Sequence, residues 1–191
     1  MGRILVFLGA VVCAWSATAN AQVQNSRMIG DWYVADLQVL GSLQCTAQRS
    51  YPDGTELALT LARDGRFKID LSNSDWSSLN SLEANSGLDI TLPVNISFDG
   101  TGKDWSGNFT VLRQSRFNPK PHIYHWFEGD EMVLAMTSLF SASSALVKSD
   151  HRVIGNFVLP GSSKALSAVT DCWERGKAED ERRQSNDPFK K

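Results

Sequence analysis

The chain has 191 residues, 42% hydrophobic and 21% charged, with 19 Lys and Arg against 21 Asp and Glu for a net charge of −2. That balance lacks the basic excess of a nucleic-acid-binding protein, and the apolar content is enough for one domain with its own core. Beyond the first fifteen residues no apolar run approaches the ~20 residues a membrane-spanning helix needs.

The first 21 residues, MGRILVFLGAVVCAWSATANA, have the order of a secretory leader. Arg3 is a short positive start, Ile4 to Trp15 an apolar stretch, and Ala19-Asn20-Ala21 a small-residue cleavage site. The stretch is too short to anchor the chain, and Val12 stands before Cys13 where a lipoprotein signal wants a small residue. The reading is cleavage after Ala21 and a periplasmic or secreted protein. Only Arg3 is lost among charged residues, so the mature net charge is −3. Residues 22–176 then form a single exported domain and 177–191 a charged, disordered tail.

Two cysteines survive processing, Cys45 and Cys172. In an oxidising compartment an even count reads as disulfides, and one intramolecular pairing exists. A catalytic thiol would need a base and a way to stay reduced, and a metal site would need more ligands than these. A Cys45–Cys172 bond is therefore expected, tying an early strand to the last helix.

Residues 31–40 predict a first strand. In 43–50, Leu43, Cys45 and Ala47 alternate with Gln44, Thr46 and Gln48, which turns Cys45 inward. YPDGT is a turn. ELALTLA and RFKIDLS alternate on either side of the tight turn RDG, so 43–71 reads as a three-stranded meander. NSDWSSLNSLEANSG predicts a short helix or a pinned loop. Ile90, Leu92, Val94, Ile96 and Phe98 alternate in the next strand, and Pro93 places that strand at an edge or a bulge. GNFTVLRQ pairs back through DGTGKDWS, which puts Trp105 in a loop, and PHIYHWFEG is a strand whose partner is not specified.

From DEMVLAMTSLFSAS the period becomes helical at Met132, Met136, Leu139 and Phe140, with acids at the start that suit the helix dipole. SALVKSDHRVIGNFVLP predicts a hairpin. GSSKALSAVTDCWERG is a final helix, N-capped at Ser162 or Ser163, with Leu166, Val169, Cys172 and Trp173 on one face and Gly176 as its stop. The fold class is α+β: a mostly antiparallel sheet, strongly bent or a partial barrel or sandwich, with two or three packed helices including a C-terminal one. LARDGRFKIDLSNSDWSSL and VKSDHRVIGNFVLPGSSKAL share the order strand, turn, strand, apolar segment, as in a two-fold pseudo-repeat.

No catalytic set, metal site or cofactor motif emerges. His122 and His125 are three apart on a predicted strand and so point to opposite faces, while His151 sits in a turn. Gly100-Thr101-Gly102-Lys103 lacks the spacer and hydroxyl of a phosphate loop. Glu128, Asp130 and Glu131 lack the alternation of a calcium loop and read as a helix start. Most tryptophans belong to the core. Trp105, with His122, Tyr124, His125 and Trp126, forms the candidate binding surface.

GDWYV soon after the leader, the cysteine strand QCTAQRSYPDGTELALTL, and GNFVLPGSSKAL before a terminal helix resemble small exported proteins of alphaproteobacteria, above all the invasion-associated locus B type. Those proteins carry a cysteine just after the early Trp motif, where Ala35 and Asp36 stand here, so their disulfide pattern does not transfer whole. The resemblance implies a periplasmic or envelope-associated protein, sometimes tied to host interaction, without established catalysis. It carries over no functional residue. The expected function is non-enzymatic binding of an envelope protein or cell-wall component. The alternatives are a hydrolase of envelope polymers, with an acid or His from 122–131 in a cleft, or a small inhibitor or immunity-like protein using loop 99–106.

Overall fold

The computed structural model describes residues 21–39, 42–82, 90–115, 119–150 and 152–185. The expected leader, except for Ala21, lies outside them, as do His151 and residues 186–191 of the expected tail. Period-two alternation dominates the described chain, and it folds as strands of one sheet. In chain order these are β1 (Ala21–Ile29), β2 (Trp32–Val39), β3 (Ser42–Ser50), β4 (Glu56–Ala62), β5 (Phe67–Ser72), β6 (Ile90–Phe98), β7 (Lys103–Leu112), β8 (His122–Phe127), β9 (Ser144–Ser149) and β10 (Arg152–Val158). Two helices follow β8 and β10: α1 (Gly129–Ser141) and α2 (Ser162–Ser185).

Every pairing is antiparallel, in the order β1-β2-β3-β4-β5-β8-β7-β6-β9-β10. The first five strands form a meander that contains the expected one over 43–71. The chain then jumps three places, returns through β6, β7 and β8 to pair with β5, and crosses by α1 to set the β9–β10 hairpin beyond β6.

One face carries the core. Cys45 and Ala47, Leu57, Leu59 and Leu61, Phe67, Ile69 and Leu71, and Ile123 and Phe127 occupy successive inward positions and are buried. Helix α2 covers β2, β3 and β4 with Ala165, Leu166, Ala168, Val169 and Cys172, while α1 adds Ala135 and Leu139. Each large apolar side chain so buried contributes about 1.5–3 kcal/mol. Cys45 and Cys172 are joined, with Cα atoms 5.9 Å apart and 127 residues between them in sequence.

The sheet is strongly bent. Trp32 Nε1 donates to Pro160 O at 2.9 Å, Tyr51 Oη donates to Val158 O at 3.1 Å, and the Tyr51 and Phe157 rings meet at 5.1 Å. The end of the tenth strand thus reaches the ends of the second and third. The barrel does not close, however, because β1 and β10 both remain edges. Each edge strand shifts register, between Val23 and Asn25 and between Val153 and Gly155, and such irregularities discourage edge-to-edge pairing with another chain.

Several expectations change. Of the two or three helices expected, two α-helices form among the described residues; the 73–87 segment supplies a 3-10 turn over Ser77–Ser81, and its residues 83–87 lie outside the described chain. Helix α2 does not stop at Gly176 but runs on to Ser185. A Cβ at Gly176 would collide with the side chain of Leu43 on β3, so this glycine permits close approach of helix and sheet rather than ending the helix. The final turns are held by an Arg63–Asp180 ion pair and by Lys177 over the Trp173 ring. At the start of α2, Ser162 Oγ donates to Leu139 O of α1, not to its own helix. Pro93 lies in a strand with two neighbours, but β9 pairs only with Asn95–Phe98, so the proline's missing donor faces an unpaired stretch. The two segments of the suggested repeat are both hairpins leading into a helical piece, one central in the sheet and one at its edge.

Candidate functional site

The five residues singled out from sequence divide between the two faces of the sheet. On β8 the register with β5 pairs Phe127 with Phe67, His125 with Ile69 and Ile123 with Leu71. His125 therefore faces the core side. Its ring lies 4.6 Å from that of Phe127, 4.8 Å from that of Trp105 and 5.8 Å from that of Phe109. His125 Nδ1 donates to Asn108 O at 2.9 Å, and its Nε2 lies 3.4 Å from the Glu131 carboxylate on the first turn of α1. Trp105 Nε1 donates to the same carboxylate.

Trp105 is thus not a loop residue open to a ligand. The turn is only Asp99 to Gly102, held by Thr101 N to Phe98 O and by Ser143 Oγ to Asp99, and β7 begins at Lys103. The indole is 5% exposed and lies against Gly107 of its own strand, where a Cβ would strike the ring. These contacts make Trp105 and His125 packing residues that seat the start of α1 on the sheet.

His122, Tyr124 and Trp126 share the opposite face, which no helix among the described residues covers. They stand against Ser72, Asp70 and Lys68 of β5. His122 Nδ1 lies 2.9 Å from Asp70 Oδ1, and Lys68 Nζ donates to Asp70 Oδ2 at 3.1 Å. Burial by itself pushes the Asp70 carboxyl up. The hydrogen bond to His122, with the charge and hydrogen bond of Lys68, outweighs it and holds the carboxyl below its ordinary range. Lys68 Nζ also lies 5.7 Å from the Tyr124 ring and 5.5 Å from that of Trp126, and the Arg66 guanidinium lies 4.9 Å from Trp126. Beyond Asp70, Glu56 on β4 pairs with Lys120 at 2.6 Å and accepts from Gln48 at 3.1 Å and from Ser72 Oγ at 3.5 Å.

The result is an aromatic and charged patch in which each charge is answered by a neighbour. Lys68, Asp70 and Glu56 were not singled out from sequence. Lys68 and Asp70 occupy the polar side of the RFKIDLS alternation, which marks an outward face but does not say which strand lies opposite.

Chemically, the patch contains a histidine–carboxylate pair, the core of many acid–base sites. Three cavities of about 290–320 Å³ elsewhere among the described residues are lined by other side chains. His122 and His125 point to opposite faces and cannot share one metal ion. Among the described residues, one group of three potential ligands converges, Asp36 with Cys45 and Cys172, and the sulfurs there are joined to each other and offer no thiolate. No helix among the described residues is long and apolar enough to cross a membrane. Comparison with protein-family models, curated proteins and solved structures found no match to this chain.

Proposed function

We propose that this is an exported, non-enzymatic binding protein of the periplasm or envelope, which holds a cell-wall polymer on the outer face of β5 and β8. The observation that supports it most is the placement of Tyr124 and Trp126 two residues apart on the one sheet face left bare by the helices, among Lys68, Asp70 and His122. Side chains at that spacing stand about 7 Å apart along a strand, so two rings offer successive apolar platforms with donors and acceptors at their rims. Successive platforms along one strand suit an extended polymer or a protein surface better than an enclosed small molecule. The leader-like first residues, the disulfide and the resemblance to locus B proteins support an envelope setting.

The test is co-sedimentation of the mature protein with isolated cell-wall sacculi. The wild type is expected to pellet with them, and Tyr124→Ala and Trp126→Ala to remain in solution while keeping the wild-type melting temperature. Absence of sedimentation, or sedimentation indifferent to both variants, would overturn the reading. Capture of an envelope protein instead, lost in the same variants, would keep the face and change its occupant.

The Asp70–His122 pair favours a second reading, a hydrolase of envelope polymers, with Ser72 directly across from His122. The open setting, and a Ser72 hydroxyl buried and turned toward Glu56, weigh against it. Release of soluble fragments from labelled sacculi, abolished by His122→Ala, would establish it over the binding reading.

A further inference from the structure

A second site lies on the other side of the sheet and does not depend on the β5–β8 face. Strand β1 is an edge strand whose register sets Asn25 beside Asp36 and Arg27 beside Val34 of β2. Those residues look toward α2, where Ala168 and Arg175 are two turns apart and so lie on one side of the helix. Between the strands and the helix is a cavity of about 320 Å³ lined by these side chains and Ser26. Its floor, Val34 and Ala168, is apolar and buried. Its polar wall carries two guanidinium groups and one carboxylate.

The carboxylate does not saturate the arginines. Asp36 accepts from Asn25 Nδ2 at 3.2 Å and stands 3.5 Å from Arg175, longer than the ~2.7–2.9 Å of a charge-assisted hydrogen bond. The Arg27 side chain makes no ion pair and no hydrogen bond among the described residues. The cavity therefore holds one net positive charge, with guanidinium donors unspent over an apolar floor that strengthens their field. Guanidinium planes match the paired oxygens of carboxylates and phosphates, and the volume is at the lower end of that of small-molecule sites.

We infer that this cavity binds a small oxyanion, a carboxylate or phosphate group on a compact ligand, between Arg27 and Arg175, with Asn25 as an auxiliary donor. Asp36 stands against Arg175 and Asn25 and competes with that anion for them.

The test is a nuclear magnetic resonance titration of the full mature chain, in one arm with inorganic phosphate and in the other with propionate. Saturable shifts are expected at the amides of residues 25–27, 34, 168 and 175. Arg27→Ala and Arg175→Ala, both at exposed positions, should each raise the dissociation constant roughly tenfold. Lys148→Ala, an exposed lysine on β9 outside the cavity lining, should leave it unchanged. Asp36→Asn keeps the shape, removes the competing charge and should tighten binding. Saturation in only one arm assigns the ligand to that oxyanion class. A response that does not saturate, that is indifferent to both arginine variants, or that weakens in Asp36→Asn overturns the proposal.

Discussion

Removing the Cys45–Cys172 bond tests the architecture most directly. The bond spans 127 residues, and in the chain-entropy model closing a loop of that length is worth about 5 kcal/mol. Domains of this size are stable by about 5–15 kcal/mol, so the staple accounts for a large share. For a chain of this length each kcal/mol moves the melting temperature by about 2–4 °C. The Cys45→Ala/Cys172→Ala variant is therefore expected to melt about 10–20 °C below the oxidised protein, followed by circular dichroism. Both sulfurs are buried, at 0% and 2% exposure, so a reductant must wait for the core to open. Thiol alkylation read by mass spectrometry should show reduction in native buffer proceeding no faster than unfolding, and accelerating in denaturant. A variant that melts within about 3 °C of the oxidised protein, or thiols that appear at once in native buffer, would refute this reasoning.

Gly176→Ala should destabilise the protein by about 1–3 kcal/mol, although alanine is the better helix former by about 1 kcal/mol, because the new methyl meets Leu43. Pairing it with Leu43→Ala should recover part of the loss in urea denaturation. The Asp70 carboxyl is held below its ordinary range in the folded protein. Its contribution to stability is therefore complete above the unfolded carboxylate pKa and is lost as pH falls through the depressed folded value. Asp70→Asn should lower stability at neutral pH and flatten the acid limb of the stability profile, measured by urea midpoints. Burial, partly opposed by the Arg49 charge, raises Tyr51 to about 12. An alkaline absorbance titration should show a late phenol ionisation that Tyr51→Phe removes. Because that folded value lies above the unfolded one, the stability Tyr51 contributes is present below pH ~10 and lost as pH rises toward 12.

Strand identity was legible wherever one face is wet and the other dry. The 43–71 meander and β6 show period-two alternation, while β8 reads as a strand from its aromatic residues, and strand geometry sends His122 and His125 to opposite faces. Strand β1 was not read because it shows no such contrast. AQVQNSRMI lies at the sheet edge, nearly every side chain after Ala21 in it is exposed, and no dry face imposes a pattern. The polar, glycine-rich DGTGKDWS predicts a loop at Trp105. In the fold the turn takes only its first residues, and Gly107 makes room for the indole. Gly176 carried the usual mark of a helix end, yet its reason is a leucine 133 residues earlier in the chain.

From the sequence alone came the alternating strands, the helical stretches within 130–143 and 161–176, and the cysteine pair, since each follows from local periodicity or from a count. Tertiary structure decided that β8 lies beside β5, which creates the Asp70–His122 pair across 52 residues. It also decided that the sheet bends without closing and that β1, β2 and α2 enclose a cavity with two arginines. Local pattern records which side of a segment is dry. Which other segment dries it depends on burial summed over the whole chain, and no short stretch of residues carries that information.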